Sequence, residues 1–180
     1  MFSPHCSLEA ILHMYKCQVL PILEYGCIVW DPHLKKDQLL LENIQKFAVK
    51  IATKSWNSST HHTVYLPSLF THRQYFKLLY MYKFLNGLHF CPLGFVSFHS
   101  NPNRRVCHAR HLLQPFARTV SYYNSFFINT VQLWNSLPSD IVLLDSVSLF
   151  KSKLRITYSS NNFSLLFFVA YHCSFFFRGP

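Results

Sequence analysis

The feature that most constrains the fold of this chain is a helical repeat of apolar residues between positions 35 and 54. Apolar side chains recur there at intervals of three and four residues: Leu40, Ile44, Phe47, Ala48 and Ile51. This spacing is typical of an amphipathic helix, which buries one stripe of side chains and exposes the rest. We therefore predict a helix over 35–54 and expect the apolar stripe to lie in a core.

Similar patterns predict further helices at about 8–20, 68–85, 128–135 and 146–156. The run 21–30 is almost entirely apolar and predicts a short buried helix with Tyr25 and Trp30 in the core. It is expected to end at Asp31, because Pro32 disfavours helical backbone in the preceding residue.

Gly is scarce, at four residues, which argues against barrels with many tight turns. The expected fold class is mainly α, with one short β hairpin at most.

A stretch with little periodicity divides the chain into two helical modules. Residues 91–106 contain two Pro and several polar residues, and Gly87 is expected to end the helix before them. We predict a helical module over 1–90, a basic linker over 91–111 and a second helical module over 112–157. Trp134 is expected in the core of the second module, and an apolar tail follows over 158–180.

Positive charge is distributed unevenly along the chain. Lys and Arg number 17 against 7 Asp and Glu, and no acidic residue occurs between Glu42 and Asp140. The basic residues of that stretch are Lys46, Lys50, Lys54, Arg73, Lys77, Lys83, Arg104, Arg105, Arg110 and Arg118. A folded surface with so large an excess of positive charge is destabilised by repulsion among its cations unless a polyanion or an acidic partner neutralises that charge. Nucleic acid is the commonest such partner, although a basic protein without a ligand remains the simpler alternative.

The six Cys residues form no C-x-x-C pair, so the usual zinc-binding pattern is missing. The nearest approach to a metal cluster combines His99, Cys107, His108 and His111, which we interpret as loop residues, and we expect no cofactor. The first five residues carry no Lys or Arg, unlike a secretory signal. We therefore expect reduced thiols in a cytoplasmic or nuclear protein.

The apolar tail raises the question of a membrane anchor. A membrane span needs about 20 apolar residues, whereas the apolar part of this tail, 163–177, is shorter and contains His172. We therefore do not expect a membrane partner, and a small tail-anchored protein stays an alternative that the composition does not favour.

Three stretches, in this order and at this spacing, carry a family resemblance. They are MYKCQVLPILEYGCIVWDPHLKK at 14–36, RQYFKLLYMYKFLNGL at 73–88 and NSFFINTVQLWNSLPSDIVLLDSVSLFKSKLR at 124–155. Together they resemble the region that follows the polymerase palm in jockey-like LINE reverse transcriptases, and the resemblance covers about residues 8–156. Ile128 and Asn129 stand where that family usually has Pro-Arg, so one expected basic contact is missing. The tail has no counterpart in the family, and we interpret it as unselected run-on sequence.

The resemblance implies that residues 1–90 form a thumb-like module that lies against a primer–template duplex. The implied partners are RNA or an RNA–DNA duplex and the missing palm and fingers, with no small-molecule substrate. The residues that we expect to contact phosphates are Lys46, Lys50, Lys54, Arg73, Lys77, Arg104, Arg105 and Arg110. The first five of these equally fit an ordinary solvated helix face. A thumb without its palm is expected to expose an apolar face and to aggregate.

Polymerase activity is not expected from this chain alone. Reverse transcription needs paired aspartates that hold two divalent metals, and the family carries them in a Tyr-x-Asp-Asp turn. The Asp residues here are Asp31, Asp37, Asp140 and Asp145, and no two are adjacent. Asp31 and Asp140 stand beside Pro-containing turns, where we expect them to cap or begin local structure. A translated retrotransposon relic without a biochemical role therefore remains an alternative to a nucleic-acid-binding fragment.

Overall fold

A computed structural model describes residues 7–54, 66–90, 96–98 and 109–159 of the chain. Helices make up 69% of these residues, which confirms the mainly α fold class. The described residues contain no strand or sheet. Phe98 and Leu112 form an isolated antiparallel bridge. The described residues therefore contain one β bridge but not the short hairpin that the sequence analysis allowed.

The helices lie close to the positions that the apolar repeats predict. In chain order they are α1 (Leu8–Met14), a π-helical turn (Tyr15–Val19), α2 (Leu20–Glu24), α3 (Cys27–Trp30), α4 (Lys35–Thr53), α5 (Leu69–Leu85), α6 (Val120–Tyr123), α7 (Phe126–Asn135), α8 (Ser139–Val142) and α9 (Val147–Ser159). Among these helices and the other described residues, none is long and apolar enough to cross a membrane.

The π-helical turn explains how the chain stays helical up to Pro21. Proline has no N–H, so a regular α-helix would lose a hydrogen bond at this position. The wider turn lets the Leu20 N–H donate to the Tyr15 carbonyl instead, and Pro21 then falls in the first turn of α2, where a donor is not needed.

The chain forms two compact units. The first contains the described parts of residues 1–27 and 32–72. There α1 packs against α4, and Ile11, Leu12 and Ala52 form one buried cluster. Tyr15, Leu20 and Leu69 form a second cluster.

The second unit contains residues 28–31 and the described part of 73–162. Its core includes the rings of Tyr82 and Phe150, stacked with centroids 4.1 Å apart. Trp134 is fully buried, as predicted, and its indole N–H donates to the Arg110 carbonyl at 3.0 Å. The Asn135 side chain both donates to and accepts from the backbone of Leu112, at 2.9 Å in each case. These bonds hold the irregular segment near Leu112 against α7.

This division differs from the predicted modules at 1–90 and 112–157. Residues from Arg73 to the end of α5 group with the second unit, because Leu78, Met81 and Tyr82 belong to its core. The boundary therefore falls inside a helix, where the sequence shows no change in composition.

The expectation of a buried helix over 21–30 was wrong. Gly26, with φ of 61°, separates α2 from α3 by a backbone conformation that glycine adopts without strain. Tyr25 is 67% exposed, Val29 is exposed, and Trp30 is also more exposed than a core residue. Tyr25 and Trp30 are therefore not the core residues that their apolar surroundings predict.

Candidate nucleic-acid interface

The candidate interface begins with three lysines on α4 and at its C-terminal cap. Lys46, Lys50 and Lys54 are spaced four residues apart, so they line one face over about 12 Å. Lys46 and Lys54 are exposed, and Lys50 is half-buried. Lys36, also exposed, precedes Lys54 by about five helical turns and points to the same side. Of the three predicted α4 cations, Lys46 and Lys54 are therefore exposed at the surface.

Lys54 occupies an unusual backbone conformation. Its φ of 51° and ψ of 20° lie in the left-handed region, and its N–H donates to the Ile51 carbonyl at the end of α4. Glycine is the usual residue at such a helix end, because a Cβ makes this conformation unfavourable. A cation here interacts favourably with the C-terminal end of the helix dipole.

A ridge of apolar side chains runs beside these lysines. It consists of Leu40, Ile44 and Phe47, which we term the apolar ridge, and Leu40 and Phe47 are 64% and 53% exposed. Phe47 lies three residues before Lys50 and so neighbours it on the helix surface. These three residues were predicted to lie in a core, and that prediction was wrong.

The buried face of α4 lies on the opposite side and includes a polar residue. Gln45 is buried with Val49 and Ala52, and its amide donates to the Pro67 carbonyl at 2.8 Å. The Tyr15 hydroxyl donates to Gln45 Oε1 at 3.2 Å. Burial raises the pKa of the Tyr15 phenol far above its ordinary value, with the nearby carboxylates of Glu24 and Glu42 adding to the shift, so this hydroxyl stays a donor.

Glu42, the acidic residue nearest the α4 lysines in sequence, is used within the first unit. Its Oε1 accepts from the Ser68 hydroxyl at 2.9 Å and from the Phe70 N–H at 3.0 Å. These bonds satisfy donors at the start of α5, a position where negative charge is favourable.

Arg73 and Lys77 require a correction, because the structure buries both. They are 1% and 4% exposed. Arg73 Nε donates to Asp31 Oδ1 at 2.6 Å, and Lys77 Nζ pairs with Asp31 Oδ2 and donates to Asn129 Oδ1 at 3.2 Å. Side chains in this arrangement do not reach an external phosphate. Asp31, which we expected to cap local structure, instead holds two cations in the second unit.

The other predicted cations divide between the described and undescribed parts of the chain. Arg110 is half-buried, and its Nη1 donates to Asn86 Oδ1 at 3.2 Å. Arg104 and Arg105 lie outside the described residues, as do His99, Cys107 and His108 of the possible metal cluster. Within the described ranges, no three His, Cys, Asp or Glu side chains are grouped closely enough to hold a metal ion.

A second group of cations, in the second unit, was not predicted as a site. Lys83 on α5 and Lys151 on α9 are half-buried, and the positive charge of Lys151 adds to burial in lowering the pKa of Lys83. Lys83 and Lys151 are far apart in the sequence, so no local pattern joins them. The residues before them in the chain, Tyr82 on α5 and Phe150 on α9, stack on each other with ring centroids 4.1 Å apart.

Three comparisons with known proteins identified no relative of this chain. No protein-family model, no curated protein and no solved structure matches the chain.

Proposed function

We propose that this chain is a non-catalytic C-terminal fragment of a LINE-type reverse transcriptase that binds nucleic-acid duplex through the lysines of α4. The family is proposed from the resemblance of the stretches at 14–36, 73–88 and 124–155. The observation that carries the binding function is the line of Lys46, Lys50 and Lys54 along one face of α4, with Lys46 and Lys54 exposed, in a chain whose positions 43–139 lack any acidic residue.

The chemistry of this surface fits the backbone of a duplex. Lysine is a compact point charge that contacts phosphate oxygens without reading base edges. Glu42, one helical turn before Lys46, accepts hydrogen bonds from Ser68 and Phe70, which fix its carboxylate at the start of α5. Binding through such contacts is independent of sequence and depends strongly on salt.

The role assigned to the chain is contact with a template, without chemistry on it. Its four Asp residues include no adjacent pair, and in the second unit Asp31 is paired with Arg73 and Lys77. Polymerisation would require the palm, which carries the metal-binding aspartates.

Binding of the full chain to a labelled RNA–DNA hybrid across a potassium chloride series tests this function. Wild type is expected to lose affinity steeply as salt rises. Lys46→Gln/Lys50→Gln is expected to bind more weakly and to reduce the slope of log K against log salt by on the order of 1.8, because two phosphate contacts are lost.

Arg118→Gln/Lys153→Gln is the matched control, since it removes the same charge from exposed positions in the second unit. This control is expected to keep most of the wild-type slope. Equal losses in the two double variants would show that total charge, and not the α4 surface, determines binding. Absence of hybrid binding by folded protein at low salt would contradict the function and favour the relic alternative.

A further inference from the structure

The apolar ridge of α4 has the spacing of a coiled-coil seam. Leu40, Ile44 and Phe47 lie four and then three residues apart, and Ile51 follows after four more. Spacings that alternate between four and three are those of the core positions of a coiled coil, in which two helices pack side by side. The three ridge residues are exposed, and Ile51 is half-buried. The exposed side of α4 therefore carries the pattern that pairs with a second helix.

Two lysines border this seam along one flank. Lys36, Asn43 and Lys50 lie seven residues apart, so they occupy the same flanking position in successive seven-residue repeats. Lys36 and Asn43 are exposed, and Lys50 is half-buried. Asp37 occupies the seam position before Leu40, in the first turn of α4, where negative charge is favourable to the helix. The flank beside the apolar ridge therefore carries positive charge at both of its ends.

The opposite flank of the seam is covered by the first unit itself. Leu41 and Ala48 occupy that flank, and both are half-buried against the cluster that contains Tyr15. A helix that packs on the apolar ridge therefore has one open flank beside it, and that flank is the one with Lys36 and Lys50.

We propose that the apolar ridge is a docking surface for an acidic amphipathic helix of another protein, which packs along α4 with carboxylates opposite Lys36 and Lys50. Charge complementarity identifies this partner, because paired helices select one another by opposite charges at their flanking positions. Nucleic acid is a poor occupant of the ridge, since a phosphate backbone does not bury apolar side chains. The proposal goes beyond duplex binding and does not depend on it.

A second copy of this chain is a less suitable occupant for the same electrostatic reason. In an antiparallel pair of α4 helices the two lysine flanks would face each other, and like charges disfavour such pairing. In a parallel pair the lysine flank would face the flank of Leu41 and Ala48, which the first unit already covers.

Binding of the full chain to a fluorescent synthetic heptad peptide tests this docking surface. The acidic peptide carries Leu at its core positions and Glu at the positions that flank them, and a basic peptide carries Lys in place of Glu. We expect the acidic peptide to bind about tenfold or more tightly than the basic one. Lys36→Glu/Lys50→Glu is expected to reverse this preference, because the flank changes sign. Leu40→Ala/Phe47→Ala should weaken binding of the acidic peptide by about tenfold or more at every salt concentration.

Arg118→Glu/Lys153→Glu is the matched control, since it reverses the same charges at exposed positions of the second unit. This control should keep the preference for the acidic peptide, and circular dichroism checks that each variant keeps its helices. Peptide binding by a wild-type chain that fails to bind the RNA–DNA hybrid would still support the docking surface and would reject only the duplex function.

Three results would overturn the proposal. The first is an unchanged peptide preference in Lys36→Glu/Lys50→Glu, or unchanged affinity in Leu40→Ala/Phe47→Ala, because binding would then follow total charge alone. The second is a wild-type dimer in sedimentation that Leu40→Ala/Phe47→Ala dissociates, without peptide binding, which would assign the ridge to a second copy. The third is binding to phosphatidylserine vesicles but to neither peptide, which would assign the ridge to a lipid surface.

Discussion

At the scale of single residues, Asp31 determines which cations are structural. Its carboxylate pairs with Arg73 and Lys77, both buried in the second unit. Two cations facing one anion leave a net positive charge in a buried position, where removal of the anion is strongly unfavourable. Asp31 is thus required for the burial of both cations.

We expect Asp31→Asn to lower the free energy of unfolding by about 3–5 kcal/mol, because the buried cations lose their counter-charge. Urea denaturation followed by circular dichroism measures this change. Asp140→Asn, at an exposed position, should change the free energy of unfolding by less than about 0.5 kcal/mol. A similarly small effect of Asp31→Asn would mean that Arg73 and Lys77 do not depend on this carboxylate.

The sequence predicted Arg73 and Lys77 as surface cations for a physical reason. Basic residues four apart on a helix are typical of a solvated face, and the partner that buries them lies 42 residues from Arg73 in the chain. No local pattern indicates such a pairing. Lys46 and Lys54 are exposed and Lys50 is half-buried, because these positions lie away from the buried face of α4, whereas the role of all three in phosphate contact stays a prediction.

At the scale of elements, α4 shows why a helix is easier to predict than its buried face. Apolar residues occupy two sides of this helix. One side carries the apolar ridge, and the other carries Val49 and Ala52. The polar Gln45 lies on the buried side, which the local pattern disfavours. It is accommodated there because Tyr15 and the Pro67 carbonyl satisfy its amide, and both partners are remote in sequence.

Shortening one side chain on each side of α4 tests which side is buried. Phe47→Ala is expected to lower the free energy of unfolding by less than about 1 kcal/mol, since the ring is already half in water. A buried Phe would cost about 3–5 kcal/mol. Val49→Ala, at a buried position, should cost more than Phe47→Ala despite removing fewer atoms. The reverse order in urea denaturation would show that the apolar ridge is buried in solution.

At the scale of the whole molecule, three of the seven acidic residues hold other groups of the chain in place. Glu24 pairs with His72 in the first unit, Glu42 accepts bonds from the start of α5, and Asp31 holds two cations in the second unit. These three are among the seven acidic residues of a chain with 17 Lys and Arg. That excess of positive charge is the basis on which we propose a polyanionic partner.

The most direct test of the central claim is lysine acetylation of the full chain, with and without a saturating RNA–DNA hybrid, read by mass spectrometry. Lys46, Lys50 and Lys54 are expected to react in the free protein and to become protected in the complex. Lys153 should react in both states, and buried Lys77 should react in neither. Unchanged reactivity of the three α4 lysines in a saturated complex would contradict the account.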